Sequence, residues 1–153
     1  MGFLTNILRG FSYSFSEGTR KMPRSRKLND CLKNAEAGDA KSQYTIGIQY
    51  EQGNFDFPQD FSEAAKWYRR AAELGHAGAQ LYLGNFLANG KGVGQDLVEA
   101  YKWVELAKRG NKLDKFAATD FQKELVKYMT QEQIAEGEKL SREFVPRKKE
   151  TLL

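Results

Sequence analysis

The chain has 153 residues, of which 41% are hydrophobic, 12% aromatic and 29% charged, a composition that suits one folded domain rather than two. The single cysteine, Cys31, excludes an intrachain disulfide scaffold and a zinc site built from several cysteines. The single histidine, His76, argues against Ser-His, Cys-His and multi-histidine metal chemistry, so we expect an interaction module without cofactor, metal or small-molecule substrate, and not an enzyme.

Residues 1–27 are predicted to form an amphipathic and basic arm. Residues 1–33 carry seven Lys or Arg against two acidic residues, a local charge of +5 that leaves the other 120 residues at −1. Apolar residues from Phe3 to Phe15 largely follow helical spacing, and a cluster of cations comes after them: Arg20, Lys21, Arg24, Arg26 and Lys27. The arm could bind an anionic membrane surface, cover the open end of the folded body, or remain a disordered linker. Because the body is near neutral, no nucleic-acid partner is expected.

The N-terminal region also bears on localisation. No run approaches the ~20 consecutive apolar residues of a transmembrane helix. Arg9 interrupts the apolar residues near the N-terminus, and Lys and Arg follow them, which is unlike a secretory signal. We predict a cytoplasmic protein, peripheral at the inner membrane surface if the arm binds lipid, with export left open.

A tandem repeat occupies the middle of the chain. Gly38, Ala40, Gln43, Gly47 and Gly53 recur 37 residues later as Gly75, Ala77, Gln80, Gly84 and Gly90. Seven further residues recur at a spacing of 36, namely Gln59, Asp60, Glu63, Ala64, Lys66, Trp67 and Ala71 as Gln95, Asp96, Glu99, Ala100, Lys102, Trp103 and Ala107. Periods of this length indicate stacked pairs of helices.

Each repeat is predicted to contain an A helix followed by a B helix. The A helices span residues 40 to about 52 and 77 to about 89, and glycines end them. Asp60 and Asp96 are predicted N-caps of the B helices, which run to about Leu74 and Arg109. Gly47 and Gly84 within the A helices indicate close approach of a neighbouring helix, with Trp67 and Trp103 as the large side chains at that contact.

The repeated pattern resembles the SEL-one-like repeat, a relative of the tetratricopeptide repeat. The residues that carry this resemblance in the first copy are Ala40, Gln43, Gly47, Tyr50, Gly53, Asp60, Ala64, Trp67, Tyr68, Ala71, Ala72 and Gly75. The second copy departs from the pattern at Leu87, Val104, Lys108 and Arg109. The resemblance implies an all-α fold, a short right-handed α-solenoid of stacked helix-turn-helix repeats at about 38–74 and 75–110 within a region spanning 28–111.

Helices are also predicted on both sides of the repeats. Leu28 to Ala37 is predicted to be the second helix of an incomplete leading repeat, with Cys31 packed on it. Residues 112–145 are predicted to form capping helices, the first an amphipathic helix whose apolar residues are Phe116, Ala117, Phe121, Leu125 and Tyr128. Thr130 and Gln133 form a predicted capping box, Ile134, Leu140 and Phe144 follow on an inner face, and Pro146 begins a tail of residues 146–153.

The resemblance implies a protein-interaction scaffold that binds a peptide or protein on the concave face of the A helices. Once Ala40, Gln43, Tyr44, Gly47 and Tyr50 are assigned to packing, other side chains remain for this face: Lys41, Thr45, Ile48, Gln49, Gln52, Tyr82, Asn85, Phe86 and Asn89. The aromatic residues could anchor a partner and the amides could bind an extended backbone or a carboxylate, although the aromatics could instead pack against the adjacent helix. A dedicated inhibitor or immunity protein is an alternative with the same fold.

Three further motifs are assigned to structure rather than chemistry. His76 is predicted to fill the turn between the repeats. Asn89-Gly90-Lys91-Gly92 lacks the preceding strand, the glycine spacing and the Ser or Thr of a phosphate loop, so it is predicted to be the loop between an A and a B helix. Some cysteine-rich members of the family have been associated with β-lactamase activity, but this chain lacks their cysteines and any Ser-x-x-Lys.

Overall fold

The computed structural model describes residues 24–53 and 57–147, with side chains described from Asn29 onward. Within these ranges the regular secondary structure is entirely helical. The helices are α1 (Arg24–Glu36), α2 (Ala40–Gln52), α3 (Phe61–Glu73), α4 (Ala77–Asn89), α5 (Leu97–Ala107), α6 (Lys112–Leu125) and α7 (Gln131–Glu143), with a 3-10 turn at Val126–Tyr128. None of the helices in the described ranges is both long and apolar enough to cross a bilayer.

The helices stack in the order of the chain. Helix α3 packs between α2 and α4, and α5 packs against α4, α6 and α7. The A helices α2 and α4 therefore alternate with the B helices α3 and α5, which confirms the predicted all-α solenoid of stacked helix pairs. Helices α6 and α7 both lie on α5, and α7 makes the more extensive contact.

The helix starts follow the predicted capping residues. The Asp60 carboxylate accepts a hydrogen bond from Glu63 N at 3.0 Å, and the Asp96 carboxylate accepts one from Glu99 N at 2.9 Å. Thr130 and Gln133 form the predicted capping box at the start of α7. These caps satisfy backbone N–H groups that have no partner within the helix, and they explain why the B helices and α7 begin where the sequence places them.

The mid-helix glycines are contact points, as predicted, but the residues that contact them differ from the prediction. A Cβ added to Gly47 would lie 2.6 Å from the Tyr68 ring, and one added to Gly84 would lie 2.7 Å from Val104 Cγ2. The assignment of Trp67 and Trp103 to these contacts is wrong. Each contacting residue is the one after the tryptophan, because the next position on an α-helix is rotated by about 100° and points to a different neighbour.

The two tryptophans differ in burial although they occupy equivalent repeat positions. Trp103 is 1% exposed within the main core, which runs from α3 to α7. Trp67 is half-buried against a smaller cluster of Ala35, Ile46 and Phe57 at the N-terminal end of the described chain. The core is therefore largest in the second repeat, where α7 covers α5.

Only part of the apolar pattern predicted for the first capping helix is buried in the structure. Phe121 and Leu125 are fully buried, whereas Phe116 is 68% exposed and Tyr128 is 53% exposed. These two aromatic residues belong to the apolar pattern of the sequence, but both remain largely exposed. Helix α6 packs through the narrow stripe that contains Ala117 and Phe121, one position away from Phe116, and the 3-10 turn breaks the helical period before Tyr128.

At the N-terminal side, α1 begins at Arg24 rather than at Leu28, so Arg24, Arg26 and Lys27 belong to a helix instead of an arm. Arg and Lys have high helix propensity, which explains the longer helix. Cys31 lies at the contact of α1 with α2, and its thiol donates a weak hydrogen bond to Ser42 O at 3.7 Å. Burial raises the pKa of this thiol. The predictions for residues 1–23, including Arg20 and Lys21, lie outside the described residues.

Candidate functional site

The A face is defined here as the side of α2 and α4 that carries the predicted site residues. These residues differ in their exposure to solvent. Lys41 and Gln52 are exposed, and Gln49, Asn85 and Asn89 are half-buried. Thr45 is also half-buried, and its hydroxyl donates to Lys41 O at 2.9 Å within α2. Ile48 and Tyr82 are half-buried because both pack against the main core. The face therefore combines polar groups with partly covered apolar ones.

Phe86 must be removed from the predicted site. Its side chain is 0% exposed, and its ring makes edge contacts with Tyr68 at 5.4 Å and with Phe61 at 6.2 Å between ring centroids. The alternative given by the sequence, that this aromatic packs against the adjacent helix, is correct for Phe86. The physical reason is that α3 approaches α4 on the side that carries Phe86.

Aromatic rings join the two A helices. Tyr44 of α2 contacts Tyr82 of α4 edge-on at 5.7 Å between centroids and stacks on His76 at 4.6 Å. Tyr82 also contacts the buried Tyr68 ring at 5.2 Å. Tyr44 and Tyr82 are both half-buried, so each residue is partly accessible to solvent. Offset and edge-on aromatic contacts of this kind hold the rings in fixed positions, which suits an anchoring surface.

Two amides on α4 extend this aromatic group by one and two helical turns. Asn89 Nδ2 donates to Asn85 O at 2.9 Å, which fixes the Asn89 side chain along the helix. Asn85 Nδ2 is buried and has no hydrogen-bond partner among the described residues. A buried donor without a partner costs about 1–3 kcal/mol. A ligand carbonyl or carboxylate that reached Asn85 after a change of rotamer would remove that cost.

A charged contact joins the two repeats behind the tyrosines. Lys91 Nζ lies 2.9 Å from Glu51 Oε1, and the Tyr68 hydroxyl donates to Glu51 Oε2 at 2.6 Å. The Lys91 ammonium also lies over the Phe61 and Phe86 rings, at 4.3 and 4.8 Å from their centroids. Burial and the nearby Glu51 carboxylate raise the pKa of Tyr68 well above its usual value. Lys91 thus ties the loop after α4 to α2, and the loop has a structural role, as predicted.

His76 caps α4 rather than only filling a turn. Its Nδ1 accepts a hydrogen bond from Ala79 N at 3.1 Å, which requires the neutral ring with the proton on Nε2. Burial lowers the pKa of His76. The negative charges of Asp114 and Asp39 offset part of this effect, and the positive charge of Lys41 lowers the pKa further. The histidine therefore links the start of α4 to the Tyr44 ring of the A face.

We expect His76→Asn to flatten the pH dependence of stability. The pKa of His76 is lower in the folded chain than the usual 6.5 of an unfolded one, so the unfolded chain takes up the proton first on acidification. The contribution of neutral His76 is complete above about pH 6.5 and is lost as the pH falls through the folded pKa. Asparagine caps helices well and does not titrate in this range.

The measurement is urea unfolding of the wild type and of His76→Asn at pH 7.5 and pH 5.5. The wild type should lose more stability between the two pH values than the variant. Loss of the stacking on Tyr44 lowers the stability of the variant at both values and does not change the slope. An equally steep pH dependence in the variant would contradict this role of His76.

Several residues of this site were missed by sequence reasoning. Tyr44 was assigned to packing, and Glu51, Tyr68 and Lys91 were not placed in one contact. The signal that could have found them is the departure from the repeat: Ala88 stands where Glu51 would recur, and Val104 stands where Tyr68 would recur. Elsewhere, no group of three His, Cys, Asp or Glu among the described residues is placed to hold a metal ion.

Comparison with known families now identifies the repeats. A family model described as Sel1 repeat matches residues 40–76 and 77–112, and both segments coincide with an A and B helix pair. The chain contains two tandem Sel1 repeats. This finding confirms the SEL-one-like resemblance inferred from the sequence, and protein–protein interaction is typical of the family.

Individual relatives are longer than this chain. An exopolysaccharide production negative regulator of Rhizobium leguminosarum bv. viciae is 42% identical over 74 residues, covering 42% of this chain and 28% of the relative. The crystal structure of a protective antigen of uropathogenic Escherichia coli with an SLR fold has a TM-score of 0.70 at 30% identity, covering 76% of this chain and 24% of its own. A Sel1 repeat protein from Oxalobacter formigenes has a TM-score of 0.57 at 34% identity, covering 63% and 28%. The chain thus spans about a quarter of the length of these proteins.

Proposed function

We propose that this Sel1 repeat chain is a non-enzymatic interaction module that binds an extended peptide, or an exposed segment of a protein, on the A face. The observation that carries the proposal is the combination of the half-buried Tyr44 and Tyr82 rings with the unpartnered Asn85 amide on the same two helices. Aromatic anchors supply apolar contact area, and amides bind the backbone of an extended segment. Lys41 and Gln52 add polar groups at the rim of the A face.

A second candidate is an inhibitor of one dedicated protein. A relative of this chain is named as a negative regulator of exopolysaccharide production, and negative regulation is a role that an inhibitor can perform. The two candidates differ in stoichiometry and affinity rather than in fold. A dedicated inhibitor forms a tight one-to-one complex, whereas an adaptor binds several partners more weakly.

The A-face variant Tyr82→Ala/Asn85→Ala/Asn89→Ala is expected to lose a partner that the wild type retains in an affinity pull-down from native lysate. The matched control carries Lys66→Ala, Lys139→Ala and Glu143→Ala, three exposed positions on α3 and α7. Asn85→Ala alone should not lower the melting temperature, because it removes a buried donor without a partner and improves helix propensity. Loss of binding in that folded single variant therefore reports on the surface.

Equal retention by the wild type and the A-face variant would contradict the proposal. If the control variant loses the partner instead, the binding surface lies on the exposed side of α3 or α7. The stoichiometry of a retained complex, measured by light scattering, separates the dedicated inhibitor from the general adaptor.

A further inference from the structure

The residues that follow α7 also pack against the body of the protein. Helix α7 ends at Glu143, and Phe144 takes an extended conformation with φ −69° and ψ 125°. The four residues Phe144–Arg147, called the tail strap here, run back over the ends of α5 and α3. The Phe144 ring contacts the Trp103 ring edge-on at 5.2 Å between centroids, and Lys102 Nζ lies over both rings.

The second half of the strap binds the end of α3. Arg147 N donates a hydrogen bond to Glu73 O at 2.8 Å, and the Arg147 guanidinium lies 3.3 Å from the Glu73 carboxylate. Glu73 is the last residue of α3, so its carbonyl has no partner within the helix, and a cation at a helix C-terminus is favourable. Pro146 lies against Gly75, where an added Cβ would be 3.7 Å from the proline ring.

The strap binds as an extended peptide would. Phe144 is half-buried, and Pro146, although exposed, lies against Gly75, while Val145 between them is 80% exposed. Every second side chain of the strap thus contacts the body, as in an extended bound peptide. The strap leaves space beneath it, a cavity of about 200 Å³ whose lining includes Ala77, Gln80, Leu106 and Arg109 as well as Phe144 and Pro146.

We propose that the surface under the tail strap is a second peptide-binding groove, called the B groove, in which the strap is the resident occupant. Its ligand is an extended segment of a partner protein with the order aromatic residue, any residue, proline, arginine. Trp103 receives the aromatic ring, Gly75 leaves room for the proline, and Glu73 pairs with the arginine through both its carbonyl and its carboxylate. The strap itself shows which chemistry the groove recognises.

The strap and a partner segment must compete for the B groove. A segment of the same chain has an effective concentration in the millimolar range. A free peptide that makes the same contacts therefore binds poorly while the strap occupies the groove. Weakening the strap should therefore open the groove to a peptide from solution.

The test uses the full chain with Phe144→Ala and Arg147→Ala, which weaken the strap, and a fluorescently labelled peptide Glu-Phe-Val-Pro-Arg-Lys-Lys, the sequence of residues 143–149. Fluorescence anisotropy should show that this variant binds the peptide at least tenfold more tightly than the wild type does. The single variant Arg147→Ala, which changes only a highly exposed side chain, should show a smaller gain in the same direction.

Charge reversal supplies the control. Adding Glu73→Lys to the weakened strap should lower peptide affinity at least tenfold, and a peptide with glutamate in place of its arginine should recover binding to that protein. Adding Asp120→Lys, an exposed position on α6, should leave peptide affinity unchanged. The proposal would be overturned if neither strap variant binds the peptide, or if Glu73→Lys leaves the peptide affinity unchanged. Dimers of the wild type in size-exclusion chromatography that vanish with the strap substitutions would also overturn it, because the occupant would then be the tail of a second copy.

Discussion

Gly92→Ala is expected to lower the free energy of unfolding by about 2–5 kcal/mol. Gly92 has φ +69°, in the left-handed region that costs an alanine about 1–2 kcal/mol. A Cβ there would also overlap the backbone carbonyl of Phe61, and a backbone cannot move aside as a flexible side chain can. Overpacking of this kind adds about 1–3 kcal/mol. The loop is held in place from both sides, since the Ser62 hydroxyl donates to Gly92 O at 3.0 Å.

Gly94→Ala is the matched control for this prediction. Gly94 lies two residues further along the same loop, and an added Cβ would meet no atom within 4 Å. Its substitution should change the free energy of unfolding by less than about 1 kcal/mol. Any gain in stability would come from the smaller conformational entropy of the unfolded chain with alanine at this position. Urea unfolding monitored by circular dichroism measures both. Equal effects at the two positions would show that the loop does not pack on α3 as described.

The helices could be predicted from the sequence because their signals are local. Asp60 and Asp96 cap the B helices through backbone atoms three residues away, and the glycines at the ends of the A helices act within one turn. Each of these signals occurs at the equivalent position of both repeats. A chance match in one copy would not be expected to recur in the other. Boundaries of the A helices agree with the prediction for the same reason.

Contacts between helices could not be predicted to the same degree. Whether Trp67 or Tyr68 covers Gly47 depends on the rotation of α3 about its axis, which is set by packing on both sides at once. Phe116 and Phe121 both belong to an amphipathic pattern, yet only the second is buried, because α6 meets α5 through a narrow stripe. A pattern identifies an apolar side of a helix more reliably than the centre of that side.

The candidate site shows the same limit. Tyr82 and Phe86 are four residues apart on α4, and the sequence placed both on the A face. The structure leaves part of Tyr82 accessible and encloses Phe86 between Phe61, Tyr68 and Lys91. Lys91 comes from a loop whose length differs between the two repeats, so periodicity carries no information about where its side chain lies. The tail strap was equally unpredictable, because it depends on a contact between residues more than 70 positions apart.

The second large effect is expected at Trp103, where substitution by alanine should lower the free energy of unfolding by about 3–5 kcal/mol. Trp103 is 1% exposed, and it supports both α7 and the tail strap through Phe144. Its indole N–H donates to Glu99 Oε1 at 3.1 Å, and Glu99 also receives two hydrogen bonds from Arg69 of α3. Burial alone would raise the pKa of Glu99, but these hydrogen bonds hold it below the usual value.

Trp67→Ala provides the comparison within the same chain, since Trp67 occupies the equivalent position of the first repeat. Its ring is half-buried and stacks under Arg70, whose guanidinium carbon lies 4.6 Å from the ring centroid. We expect a loss of about 1–3 kcal/mol there, because part of the ring already contacts solvent. Urea unfolding of both variants tests the difference. Similar losses would mean that a further element covers Trp67 as completely as α7 covers Trp103. A clearly larger loss at Trp103 would show that the contribution of one repeat position to the free energy of unfolding depends on the helix that packs beside it.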